Sequence, residues 1–154
     1  MKPGTLTETT FLVIGYGNTL RSDDAAGPLV AARVDALGIP GVRVVACPQL
    51  TPELAAELAE AGTVVFVDAT ADVTREVVRK PLAPDDTCPV SSHATDPRAL
   101  LAMARELYGR APAAWLLEVP AEDFEHGEEL SVVTARGIEA AVGQIRALVA
   151  GRTA

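Results

Sequence analysis

Residues 11–27 read Phe11-Leu-Val-Ile-Gly-Tyr-Gly-Asn-Thr-Leu-Arg-Ser-Asp-Asp-Ala-Ala-Gly27, and most of the architecture follows from them. A short apolar run ends in Gly15-x-Gly17-Asn18. Two adjacent carboxylates, Asp23 and Asp24, then precede a segment rich in Ala, Leu and Val. That order predicts a buried strand over Thr10–Gly15, a tight turn, and a helix from Asp24 to Ala36 with an acidic start. The turn delivers Asn18, Asp23 and Asp24 to one end of a sheet, where open α/β proteins place their ligands.

The same alternation continues along the chain. Gly38 and Pro40 close the first helix, and Val42–Ala46 is a short β-branched strand. Thr51 is the expected N-cap of a helix that starts at Pro52 and ends near Ala61, before Gly62. Thr63–Val67 is the most strongly apolar run, a central parallel strand expected to terminate at Asp68. Arg75–Lys80 reads as a weaker edge strand, and Pro81–Thr95 as a polar loop. Asp96-Pro97 opens a helix to Tyr108, Ala113–Val119 is a further strand, Pro120–Glu128 a loop, and Ser131–Ala150 a last helix. Strands alternating with helices predict an α/β sandwich with a mainly parallel sheet, formed by one domain spanning 1–154.

Composition narrows the function. Hydrophobic residues make up 49% of the 154 and charged residues 22%, as in globular chains. No segment reaches the roughly 20 apolar residues of a membrane span. Met1–Thr10 lacks the pattern of a signal peptide, so a cytoplasmic protein is expected. The formal charge of −8 disfavours nucleic acid and anionic membranes as partners. Cys47 and Cys88 are far apart and form no C-x-x-C, which argues against a disulfide scaffold or a zinc ribbon. A buried small apolar residue is the expected role of each, with a reactive thiol the alternative.

Three polar residues fall where strands end: Asp24, Asp68 and His93. Two carboxylates and an imidazole suit zinc, nickel, manganese or iron and leave positions for water or substrate. Each residue also has a purely structural role open to it. Asp24 and Asp23 sit at the positive end of a helix dipole. Asp68 can cap the turn at Thr70, and a loop histidine is commonly solvated. A dinucleotide site is disfavoured, because Leu20 replaces the third glycine of Gly-x-Gly-x-x-Gly and strand two ends in Ala46-Cys47-Pro48 without an acid. The glycines then serve close backbone approach, to a peptide or to the metal's other ligands. His126, among Glu125, Glu128 and Glu129, reads as solvated surface, and no Gly-x-Ser-x-Gly elbow is present.

These motifs resemble the hydrogenase maturation proteases, endopeptidases that trim the large subunit of nickel–iron hydrogenases. The match comprises Gly15-Tyr-Gly17-Asn18-Thr-Leu20-Arg-Ser-Asp23-Asp24-Ala-Ala-Gly27, Val67-Asp68-Ala69, Ser91-Ser-His93 and Gly127-Glu-Glu-Leu130-Ser131, in order over nearly the whole chain. The resemblance implies a roughly five-stranded twisted sheet between helices, a three-layer phosphorylase/hydrolase-like sandwich. It places metal-binding carboxylates and histidine at Asp24, Asp68 and His93. It implies a large-subunit precursor as partner and substrate, with nickel presented by that substrate and zinc or a similar ion able to occupy the site in vitro. It also implies substrate contacts at Gly15, Gly17 and Asn18. Asp23 is the nearest further carboxylate for a general base. One departure stands out: many members carry Asp-Gly-Gly-Thr after strand two, and here that place is Ala46-Cys-Pro-Gln-Leu-Thr51. The alternatives are a non-catalytic checkpoint that grips the same precursor, and a small α/β nucleotide-binding protein.

Overall fold

The apolar run at Phe11 splits by alternate residues into two cores. In the computed structural model, which describes residues 10–71, 76–86 and 96–151, Phe11 and Val13 face one hydrophobic cluster. Leu12 and Ile14 face another. A strand buried on both faces needs cover on both, and this is what a continuous apolar run specifies in a parallel sheet. Strands β1 (Phe11–Tyr16), β2 (Val42–Cys47), β3 (Thr63–Thr70), β4 (Val78–Leu82) and β5 (Ala113–Pro120) form one five-stranded sheet in the order β2-β1-β3-β5-β4.

Helices α1 (Ala26–Ala36) and α4 (Val132–Gly151) cover one face through Val30, Val34, Ile138 and Ile145. Helices α2 (Leu54–Glu60) and α3 (Pro97–Tyr108) cover the other through Leu54, Leu58, Leu100 and Leu101. The result is the expected α/β three-layer sandwich. All pairings are parallel except β4 with β5, which is antiparallel. The edge position expected for the Arg75–Lys80 region holds, with the strand itself at Val78–Leu82.

Local chemistry explains the ends of α3. Asp96 accepts a hydrogen bond from the Arg98 N–H, Pro97 occupies the first turn, and Gly109 closes the helix at φ 85°. The start of α2 differs from expectation. Thr51 does not cap it; residues 52–53 form a turn, and the helix begins at Leu54 after Glu53. The first helix also differs, because Ser22–Ala25 is a separate 3-10 turn ahead of α1. Asp23 and Asp24 therefore lie on a tighter coil, where their side chains diverge. The topology reverses between β1 and β3, since β2 lies on one side of β1 and β3 on the other. That switch point opens a crevice at the carboxyl ends of both strands.

Candidate active site

Strand β1 pairs with β3 only as far as Gly15 opposite Val67. Strand β3 continues past it, with Asp68, Ala69 and Thr70 paired to Glu118, Val119 and Pro120 of β5. Asp68 thus lies inside the strand rather than terminating it. It emerges at the crevice because β1 ends there, not because β3 does.

Asp24 reaches the same place through glycine. A Cβ on Gly27 would lie 2.4 Å from the Tyr16 carbonyl oxygen and 2.5 Å from that of Val67. Only a residue without a side chain lets the start of α1 settle over the ends of β1 and β3. Gly15 and Gly17 belong to the same packing. A Cβ on Gly15 would lie 2.0 Å from the Gly27 carbonyl oxygen, and one on Gly17, whose φ is 152°, 2.1 Å from that of Asp24. Both are buried. Their close approach is to the chain's own turn, and Gly17 with Asn18 also lines a hollow beside it. Asn18 is exposed and holds the turn's geometry. Its N–H donates to Asp24 Oδ2 at 2.7 Å, and its Oδ1 accepts from the Leu20 N–H at 2.9 Å.

The charge of Asp24 reaches Asp68 across the mouth of the crevice. Burial pushes the Asp68 carboxyl up to about 6, and the Asp24 charge adds to that rise. A 2.8 Å hydrogen bond from the Ala69 N–H and another from the Tyr16 hydroxyl oppose it in part. Burial and the neighbouring Asp68 hold the Tyr16 phenol well above its ordinary value, so it remains a donor. Among the described residues no Lys or Arg forms an ion pair with either carboxylate. Two part-buried carboxylates supply two of the donors a divalent ion needs, and among the described residues no third His, Cys, Asp or Glu joins them. Tyr16 was not anticipated as part of the site. Its signal was a phenol at the end of an otherwise apolar strand, between two glycines.

Asp23 has a different job from its neighbour. It is fully buried. Its Oδ2 accepts from the N–H groups of Glu122 and Asp123 at 2.8 and 2.9 Å and from Ser131 Oγ at 2.8 Å. Its Oδ1 accepts from the Ser131 N–H at 2.8 Å, and its own N–H donates to the Asp123 carbonyl at 2.8 Å. Burial raises its pKa, but the donors of Ser131, Glu122 and Asp123 outweigh that and hold it below the usual carboxylate range. Asp23 is therefore not available as a general base; it ties residues 121–131 to the 3-10 turn. Ser22 adds to the tie. It adopts φ 51° while its N–H bonds the Gly127 carbonyl and its hydroxyl the Glu125 carbonyl, both at 2.8 Å. His93, with Ser91, Ser92 and Cys88, lies outside the described residues. His126 is exposed in the 121–131 loop.

Solved structures share this architecture. The NiFe hydrogenase maturation protease HycI from Thermococcus kodakarensis KOD1 is 25% identical, covers 92% of each chain and superposes with a TM-score of 0.71. The chain has the fold of the hydrogenase maturation proteases. The hydrogenase maturating endopeptidase HybD from E. coli is 22% identical over 93% of each chain, with a TM-score of 0.73. The maturation protease HybD from Thermococcus kodakarensis is 24% identical over 91% of this chain and 99% of its own, with a TM-score of 0.68. No protein-family model matches the sequence, and no curated protein matches it. Among the described residues, no helix is long and apolar enough to cross a membrane.

Proposed function

We propose that this chain is an endopeptidase that removes the C-terminal extension of a nickel-loaded NiFe hydrogenase large-subunit precursor. The observation that supports the reading is a hydrogenase maturation protease fold whose switch point carries Asp24 and Asp68, the charge of one acting on the other. Asp24 is steadied by the Asn18 N–H, and Asp68 by the Ala69 N–H and the Tyr16 hydroxyl. These second contacts fix the carboxylate directions, which is what ligand carboxylates require. His93 is assigned as the third ligand on its sequence motif. The nickel arrives with the substrate, and the trio reads its presence. A bound divalent ion supplies Lewis acidity to the scissile carbonyl or to the attacking water.

The chain's own groups supply orientation. With Asp23 engaged in the loop by four donors, Asp24 and Asp68 are the carboxylates left at the crevice to orient the ion and the water it activates. Incubating purified protein with nickel-loaded precursor, and weighing the large subunit by mass spectrometry, tests the assignment. A shortened subunit is expected from the wild type, and an unprocessed one from Asp24→Ala, Asp68→Ala and His93→Ala. Cleavage by His93→Ala at the wild-type rate discards the metal role of that residue.

A second reading has one observation in its favour. The segment after β2 runs Ala46-Cys47-Pro48-Gln49 and carries no acid where many family members have one. A checkpoint that grips the nickel-bearing precursor without cutting it would form a stable complex and leave the subunit mass unchanged.

A further inference from the structure

We propose that Ser22 is a positioning residue for Asp24: the backbone turn it makes sends Asp23 into the 121–131 loop and leaves Asp24 at the crevice. The inference deepens the function proposed above and rests on it. Ser22 is buried, and it is the one non-glycine among the described residues with a positive φ, 51°. That region sets Cβ against the backbone, so a residue other than glycine stays there only where its surroundings hold it. Conformations held in this way cluster at active sites, where they preorganise neighbouring groups.

One loop supplies those surroundings. Ser22 donates its N–H to the Gly127 carbonyl and its hydroxyl to the Glu125 carbonyl, both at 2.8 Å. Before it, the Leu20 carbonyl accepts from the Gly127 N–H at 2.9 Å; after it, the Asp23 N–H donates to the Asp123 carbonyl at 2.8 Å. A Cβ on Gly127 would lie 3.2 Å from Ser22 Oγ, so the loop also leaves room for the hydroxyl. The chain is thus fixed on both sides of the reversal, and Ser22 decides the direction in which the 3-10 turn leaves it. Asp24 depends on that direction. Its N–H donates to the Arg21 carbonyl at 3.0 Å, on the near side of Ser22, while its Oδ2 accepts from the Asn18 N–H at 2.7 Å. An ordinary right-handed φ at Ser22 would rotate the turn by roughly 110° about that bond. Asp23 could not then keep its donors in residues 122–131 while Asp24 kept Asn18.

The test is steady-state processing of nickel-loaded precursor by the wild type, Ser22→Ala and Ser22→Gly, each below its melting transition. Both variants lose the hydroxyl bond to Glu125, and only glycine takes φ 51° without steric cost. The pair therefore separates the backbone turn from the hydroxyl. In Ser22→Ala kcat is expected to fall on the order of 10-fold or more, with KM within about twofold, as a displaced group at the reacting centre would give. Ser22→Gly should hold kcat within about threefold of the wild type. The Asn18 amide proton, read by NMR on the protein alone, gives a signature independent of turnover. Its bond to the Asp24 carboxylate sets its shift, so in Ser22→Ala it should move towards its position in Asp24→Ala, and in Ser22→Gly stay where the wild type has it. Equal loss of kcat in the two variants assigns the effect to the hydroxyl and overturns the inference. So does wild-type kcat in Ser22→Ala, a rise in KM alone, or an Asn18 amide that does not move there. If Ser22→Ala does not fold, Ser22→Gly carries the test, and a loss of its kcat overturns the inference. A wild type that leaves the precursor uncut overturns the proposed function, and the amide then still decides whether Ser22 aims Asp24.

Discussion

Replacing Asp23 with Asn should destabilise the protein strongly, although the two side chains are nearly isosteric. The buried carboxylate accepts four hydrogen bonds and can donate none: three enter Oδ2 and one enters Oδ1. An amide has a single oxygen. In its better orientation that oxygen keeps the three bonds of Glu122, Asp123 and Ser131 Oγ, and its NH₂ then opposes the Ser131 N–H. One buried donor without an acceptor costs about 1–3 kcal/mol. The three retained bonds lose their ionic character, and charge-assisted bonds are roughly twice as strong as neutral ones. The expected loss is on the order of 4 kcal/mol at neutral pH, equivalent to roughly 10 °C in Tm for a chain of this size. Urea unfolding at pH 7 reads it directly. The sign of its pH dependence follows from the folded pKa, which is depressed. The carboxylate's contribution is fully present above the ordinary Asp pKa of about 4 and is lost as pH falls through the folded value. The difference between wild type and variant should therefore shrink towards about pH 3. A variant within about 1 kcal/mol of wild type at pH 7, below the cost of a single orphaned donor, would refute the account of Asp23 as the tie between the 3-10 turn and residues 121–131.

Three further outcomes are expected. Asp68→Asn should abolish processing yet stabilise the protein above pH 6, by at most about 3 kcal/mol, since the folded fold favours the protonated carboxyl between its ordinary 3.8 and about 6. The wild type's benefit from this group is complete below about pH 3.8 and lost as pH rises through 6, so the gain of the variant should vanish in acid; thermal melts from pH 3 to 8 check it. Asp24→Ala should lower the Asp68 titration midpoint by removing a neighbouring charge, which NMR of the Asp68 carboxyl can follow; an unmoved midpoint would separate the two groups. Gly27→Ala should cost about 1–3 kcal/mol or more through its clash with the Tyr16 and Val67 carbonyls, and should lose processing as well, because the turn carrying Asp24 must lift off the strand ends.

The departures from the sequence reading share a cause. The Asp96-Pro97 helix start, the apolar strand cores and the Gly15-x-Gly17 turn were legible because each depends on residues within a few positions of one another. Thr51 failed as a cap although its residue type suits one, since the chain spends residues 52–53 on a turn before α2 begins. Asp68 was correctly placed at the crevice but wrongly placed at a strand end, because where β3 emerges depends on where β1 stops. The glycines mark sites of close approach, and what lies against them in the fold is the chain's own turn, which no local pattern could name.

By itself the sequence determined the alternating elements, the double-sided core and the family resemblance, since apolar period, capping residues and glycine spacing act over short range. Only the tertiary structure decided between the two adjacent aspartates. Asp23 and Asp24 are chemically identical and share one turn. Asp23 is taken up by donors 99 to 108 residues away, whereas Asp24 is left at the mouth of the sheet. A carboxylate's job depends on which groups fold around it, and hydrogen bonds to remote backbone leave no periodic trace in the chain that makes them.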